Sequence, residues 1–454
     1  MNFLGKWKRA LPARGQRMGG VSRWYLYSLV VWGFLMAQGV GAAGARPNIV
    51  VILADDLGYA DLGCQGSSEV QTPHIDSLAS GGVRCTAGYV TAPQCGPSRA
   101  ALLTGRYQQR FGFFCNEQAY QPGIPRAENV LPEYLKAAGY VTGMMGKWGV
   151  GNRRELHPPQ RGFDQSFWNH DGNRYFPGSP SKYDVKFRRG NDAAELQEYS
   201  TDAIGREAVE FIRRHKEEPF FLYLSFVTPH LPMEAKPEDI ARFPSQRDPL
   251  RRTLLAMMAC LDDNVGRILG ALRAAGLEEN TLIFFLSDNG GSAENASSNL
   301  PLRGGKSQVL EGGIRIPFLV RWKGHLPAGR IYEKAVSSMD VLPTSLAAAG
   351  LTLPARLDGV NLLPFLADEN PVDPHPLLCW DFPGPPGTPQ QDRWAVRQGQ
   401  WKLVKNERDG QPLGLYDLSR DPGEAANRLQ EQAQKATELE QRFRQWRSQS
   451  NPRP

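Results

Sequence analysis

An α/β fold built on one large, wound, mostly parallel sheet is what this chain of 454 residues predicts. Three observations carry that expectation. Four short apolar runs stop abruptly at polar residues: Ile49 to Ala54 at Asp55-Asp56, and Tyr140 to Met145 at Gly146-Lys147. The other two are Phe220 to Val227, ending at Thr228-Pro229-His230, and Thr281 to Leu286, ending at Ser287-Asp288-Asn289. Runs of this length, rich in β-branched and aromatic residues, read as strands buried on both faces. Helical patterns lie between them, so strand and helix alternate, as in a wound parallel sheet. Ligands in such sheets gather beyond the carboxyl ends of the strands, which predicts that all four polar clusters meet on one edge.

Each intervening helix has its own signal. Leu254, Met258, Leu261, Val265, Ile268 and Leu272 form one apolar stripe that Gly276 can close. Ile204, Ala208, Phe211 and Ile212 do the same ahead of the Phe220 run, and Leu131, Leu135 and Ala138 ahead of Tyr140. The α/β body is expected over residues 46–365. A proline- and glycine-rich stretch, 371–390, reads as a loop or linker. Beyond it Trp394 to Arg397, Trp401 to Val404 and Leu415 to Leu418 look like short antiparallel strands, with a polar helix from about Glu424 to Arg447. Residues 366–454 are thus expected to form a smaller α+β subdomain: an antiparallel sheet plus a helix.

Residues 1–45 read as an export signal. Basic residues run to Arg23, an apolar stretch follows from Trp24 to Met36, and small residues cluster from Gly39 to Ala45. Met18 is an alternative start. Trp24 to Ala43 is also just long enough to span a bilayer, but its glycines and small-residue end favour cleavage. The expectation is a secreted or periplasmic protein with no stable membrane insertion after cleavage. The formal charge of +6 comes from that segment: Lys6, Lys8, Arg9, Arg14, Arg17 and Arg23 have no acid among them, and without them bases and the 47 acids balance. A neutral body gives no global case for nucleic acid, so attraction for anions must be local.

The run Cys95-Gly96-Pro97-Ser98-Arg99, continuing to Thr104-Gly105-Arg106, places a thiol at the start of a helix. Pro97 suits a first helical turn, free N–H groups there attract anions, and Arg99 adds a fixed charge. Of the six cysteines, setting Cys95 aside leaves five, so at least one has no partner within the monomer. Asp55, Asp56, Asp288 and Asn289 supply oxygen donors from two strand ends, which suits a hard cation such as calcium or magnesium. Zinc is disfavoured, because the seven histidines show no ligand spacing.

The Cys95 run resembles the formylglycine segment of the type I sulfatases, in which a maturation enzyme oxidises the cysteine to an aldehyde. Asp55-Asp56-Leu57-Gly58-Tyr59, Leu302-Arg303-Gly304-Gly305-Lys306, Glu311-Gly312-Gly313-Ile314-Arg315-Ile316-Pro317 and Leu415-Tyr416-Asp417-Leu418 are similar to further motifs of that family. The resemblance implies an alkaline phosphatase-like fold and hydrolysis of sulfate esters, of sulfated carbohydrates or aryl sulfates. It implies a partner in the formylglycine-generating enzyme, and one calcium ion held by Asp55, Asp56, Asp288, Asn289 and the modified Cys95. It further implies that Arg99 holds the formylglycine oxygen, Lys147 and Lys306 clamp sulfate, and His230 protonates the leaving alcohol. A hydroxyl of the hydrated aldehyde attacks sulfur, and loss of the second hydroxyl's proton expels sulfate.

One position departs from the family pattern. Many sulfatases carry Gly-Lys-Trp-His, whereas this chain has Gly146-Lys147-Trp148-Gly149. Either another base then takes the histidine's proton-accepting role, with His157 and His170 as candidates, or turnover is slow. The loop from Asn169 to Arg174 is a candidate lining of substrate subsites. Two other functions compete: a phosphodiesterase or phosphatase of the same superfold, and a non-catalytic protein that binds sulfated glycans.

Overall fold

The computed structural model describes residues 46–450 apart from 173, 180–185, 368–369, 371, 385–391 and 407–410. The export segment expected at 1–45 lies outside the described residues. Among the described residues, no helix is long and apolar enough to cross a membrane.

The strands are β1 (Asn48–Ala54), β2 (Val83–Tyr89), β3 (Val141–Lys147), β4 (Gln165–Asn169), β5 (Phe187–Arg189), β6 (Asp192–Ala194), β7 (Phe220–Ser225) and β8 (Thr281–Ser287). They continue with β9 (Arg315–Arg321), β10 (Arg330–Tyr332) and β11 (Val336–Ser337). These eleven make one sheet in the order β10-β2-β9-β8-β1-β7-β3-β4-β5-β6, with β11 also pairing to β2. The four runs read from sequence are the adjacent strands β8, β1, β7 and β3, all mutually parallel. Their carboxyl ends therefore fall side by side. β9 runs antiparallel to both β8 and β2, and β5 and β6 add an antiparallel margin.

Successive residues of β1 serve opposite faces. Ile49, Val51 and Leu53 join one core and Val50, Ile52 and Ala54 the other, all fully buried. That is why the run shows no alternation of polar and apolar residues. Each buried aliphatic side chain contributes about 1.5–3 kcal/mol. The helices are α1 (Pro73–Ser80), α2 (Cys95–Thr104), α3 (Leu131–Ala137), α4 (Ser200–Arg214) and α5 (Pro249–Ala274). The predicted stripes of α4 and α5 pack into one core, while Ala100, Leu102 and Leu103 of α2 and Leu131 and Leu135 of α3 pack into the other. Asp248 caps α5 by accepting from the Leu250 and Arg251 amides.

A second sheet is antiparallel: β12 (Leu378–Asp381), β13 (Arg393–Gln398), β14 (Trp401–Asn406) and β15 (Gln411–Asp417), in that order. Helix α6 (Ala433–Ser450) covers it through Ala436, Leu439 and Phe443. Two local expectations are corrected here. β12 lies inside the stretch read as a loop; its prolines flank the strand, and Trp380 inside it is buried against the main core. The terminal helix begins at Ala433, not near Glu424, because Glu424 is held at φ 53° with its side chain buried. A helix cannot pass through a left-handed residue.

Candidate active site

The edge predicted from the four strand ends is where the chemistry collects. Asp55 and Asp56 leave β1, and the Asp55 amide donates to the Thr228 carbonyl beyond β7 at 3.1 Å. The Asp288 amide donates to the Ala54 carbonyl at 3.1 Å, and the Asp56 amide to Asp288 Oδ1 at 3.2 Å. Asp56 sits at φ 63°, so the chain turns sharply and both carboxylates face the same space. Cys95 opens α2 beside them, its Sγ 3.4 Å from Asp55 Oδ1 and 3.8 Å from Asp56 Oδ1. Gly105, at φ 65°, closes that helix as its sequence predicts.

Cations interleave with the acids. Lys147 Nζ, at the end of β3, is 2.6 Å from Asp55 Oδ2, and Lys306 Nζ is 2.7 Å from Asp56 Oδ2. Arg99 is fully buried: its Nε and Nη2 lie 2.8 and 2.7 Å from Asp288 Oδ2, and Nη1 donates to the Lys147 carbonyl at 3.2 Å and to the Ser225 hydroxyl. His230 holds its Nδ1 2.7 Å from the Leu231 carbonyl and its Nε2 3.6 Å from Asp56 Oδ2. Asp55, Asp56, Cys95, Arg99, Lys147, His230, Asp288 and Lys306 are thus in one cluster.

The electrostatics follow from burial and pairing. Burial opposes ionisation of both acids, but Lys147, His230, Arg99 and Lys306 outweigh it at Asp55 and hold it well below the usual carboxylate range, while Lys306 and His230 lower Asp56. Asp288 is pushed up to about 6 by burial and by Asp55. Burial, then Asp288, push the Cys95 thiol well above its usual value, so as a plain cysteine it is a poor nucleophile at neutral pH. Lys147 and Lys306 are both raised, because Asp55 and Asp56 overcome the desolvation penalty. Burial lowers His230 in spite of Asp55 and Asp56.

The donor set fits a hard cation. Three carboxylates converge in buried space, and Asn289 donates from Nδ2 to Asp56 Oδ1 at 2.8 Å while its buried Oδ1 has no hydrogen-bond partner. Asp55, Asp56, Cys95 and His230 bring potential ligand atoms within 4.8 Å of one another. Asp288 stands next to them, with one oxygen taken by Arg99.

Above the cluster opens a cavity of about 500 Å³ lined by Cys95, Lys147, Gly149, His170, His230 and the segment Asn116 to Tyr120. Tyr120 donates to Asp171 Oδ1 at 2.5 Å and packs edge-on against His170 at 4.7 Å. Asn116, Glu117 and Tyr120 were not foreseen, since no periodicity or motif marks the single helical turn Glu117–Tyr120 and its cap Asn116. Of the two candidate bases, His170 lines the cavity, and neither of its ring nitrogens has a hydrogen-bond partner. His157 turns away, with Nε2 3.1 Å from the Asn152 carbonyl and its ring against Trp168. Burial lowers His170 to about 4.

Comparison with known proteins agrees with this geometry. Residues 47–351 match the sulfatase family, and residues 305–449 match the C-terminal region of N-sulphoglucosamine sulphohydrolase. N-acetylgalactosamine-6-sulfatase of Canis lupus familiaris is 39% identical over 367 residues, 73% of this chain and 68% of that protein. Arylsulfatase A of Homo sapiens is 36% identical over 454 residues, covering 87% and 86% of the two chains. Among solved structures, that of Ps i-CgsB in complex with k-i-k-neocarrahexaose superposes with a TM-score of 0.82 at 34% identity, covering 88% of this chain and 92% of that one. The chain belongs to the sulfatase family, with the alkaline phosphatase-like sheet of that superfold. It is accordingly a hydrolase of sulfuric esters.

Proposed function

We propose that this enzyme is exported and hydrolyses sulfate esters of glycans, using a formylglycine made from Cys95 and one calcium ion. The observation that carries this reading is the buried meeting of Cys95, three carboxylates and three fixed cations beneath a polar cavity. A sulfate ester is anionic and repels nucleophiles, so the cations must neutralise it as charge moves to the leaving oxygen. Relatives whose names specify N-acetylgalactosamine 6-sulfate, and a neighbour bound to a hexaose, support a sugar substrate.

Asp55, Asp56, Asp288 and Asn289 would hold the calcium together with position 95. When bound there, calcium would supply Lewis-acid polarisation of the sulfate, and the oxidised side chain at position 95 would supply the nucleophilic oxygen. The remaining work falls to the chain's own residues. Arg99, locked by Asp288 and the Lys147 carbonyl, orients the oxygen at position 95. Lys147 and Lys306 exchange part of their contact with Asp55 and Asp56 for sulfate oxygens. His230 gives a proton from Nε2 to the departing alcohol, its ring held through Nδ1 by Leu231. His170, on the cavity wall with its Nε2 3.7 Å from Asp171 Oδ1, takes up the proton that position 149 cannot.

The test uses protein from its native host. The peptide containing Cys95 should have lost sulfur and gained a carbonyl, and nitrophenyl sulfate should be cleaved far faster than nitrophenyl phosphate. Added calcium should raise the melting temperature, and a chelator should lower both that temperature and turnover. A retained thiol in enzyme that still cleaves the sulfate would sink the formylglycine assignment. Preference for the phosphate would sink the substrate class.

A further inference from the structure

The second sheet reaches the catalytic edge through a buried charge triad. Lys402 lies in the middle of β14, wholly buried, with Nζ 2.9 Å from Glu311 Oε1 and 2.9 Å from Glu424 Oε1. The second oxygen of Glu424 accepts from the Glu311 amide at 2.7 Å, so both carboxylates converge on the single turn Glu311–Ile314. That turn is the hub of the loops below Lys306 and Asn289. The Gly312 amide donates to the Arg303 carbonyl at 2.7 Å, and the Gly313 carbonyl accepts from Gly290, next to Asn289, at 3.0 Å. The Lys306 amide in turn donates to the Gly291 carbonyl at 3.1 Å. A Cβ added to Gly312 or Gly313 would collide with the Arg303 or Gln308 carbonyls, so the turn has no slack.

From Lys402 a path of hydrogen bonds and short chain links thus leads to the groups assigned to sulfate and metal. A buried ammonium between two carboxylates is costly to assemble, and removing it leaves like charges face to face. Pure stability would be served as well by apolar residues of similar volume. We infer that Lys402 is a positioning residue: it holds the Glu311 turn, and through it Lys306 and Asn289, at the spacing the reaction needs. This rests on the role given to Lys306 above.

The test compares matured, full-length wild type with Lys402→Met, with Lys402→Met/Glu424→Gln, and with Lys306→Ala, using nitrophenyl sulfate. Displacing a clamp by about 1 Å costs on the order of a hundredfold in rate. Lys402→Met should therefore lose roughly that much kcat/KM, mostly through a raised KM. Part of the loss should return on acidification, when one shared proton replaces the ammonium between Glu311 and Glu424. Tyr89, Arg315 and, through Tyr89, Arg397 face that pair from the main sheet and β13, and Arg303 and Tyr416 face it from the other side. The double variant, with no facing pair of carboxylates, should show the raised KM without the acid recovery. A folded variant with wild-type KM and pH profile overturns the inference. Failure of both variants to fold reduces Lys402 to a stabilising role and overturns it too. Should Lys306→Ala leave turnover unchanged, the assignment of Lys306 itself falls, independently of Lys402.

Discussion

Gly149 is where a single residue carries the most consequence. It lies at φ 66°, and a Cβ there would meet Arg99 Cδ at 3.5 Å and Lys147 Cε at 3.6 Å, which is ordinary contact. Space for a side chain exists; only the left-handed backbone resists, at about 1–2 kcal/mol, and histidine tolerates that region better than most residues. Gly149→His should therefore fold with its melting temperature lowered by only about 1–3 °C, since a chain this large shifts by about 1 °C per kcal/mol. If breakdown of the covalent stage is slow in the native enzyme, nitrophenol should appear as a burst that the variant abolishes while raising kcat. Lack of a burst in the wild type would show that His170 or another group already serves. At Lys147, replacement by Ala should cost on the order of 10²–10³ in kcat/KM, measured on the same substrate. It removes a charge from the anion's surroundings and leaves Asp55 without its nearest cation.

At the level of elements, the strand ends decide the site, and Gly146 shows how tightly. It stands at φ 110° one residue before Lys147, with its Cα against β7, and a Cβ would run into the Ser225 carbonyl. Gly146→Ala should cost roughly 3 kcal/mol and shift Lys147, so thermal melting and kcat should fall together. The helices and strands that build this edge were readable because each carries an unbroken physical signal. β1, β3, β7 and β8 are apolar on both faces, and α5, 26 residues long, keeps one stripe from Leu254 to Leu272. The strands not read are those whose signal is short or mixed. β5, β6, β10 and β11 have only two or three residues each. β9 contains Pro317, so it resembles a loop locally and becomes a strand only through its neighbours, whereas the alternation in β2 is itself the signal of a half-buried strand.

Across the whole molecule, the main sheet and the C-terminal sheet are joined by charge as well as by apolar contact. Glu311 is fully buried, and burial alone would raise it; Lys402, then Arg315 and Arg397, outweigh that and lower it from 4.5 to about 2. A carboxylate lowered on folding adds stability above its unfolded value, and that stability is lost as pH falls from 4.5 towards 2. Acid unfolding followed by tryptophan fluorescence should steepen in that window. Glu311→Gln should remove the steep part while lowering stability at pH 7. An unchanged acid transition in the variant would show that Glu311 does not carry it.

The amino-acid sequence by itself determined the sheet class, the one edge on which four strand ends meet, and the residues that arm it. Those depend on period, on burial and on motifs that are local in the chain. Only the tertiary structure decided which acid faces which cation, that His170 and not His157 borders the cavity, and that Tyr120 closes its wall. It alone placed Lys402 behind Lys306, 96 positions away in the sequence. Such pairings are set by how layers stack and which loops approach, and no pattern within a short stretch of chain records them.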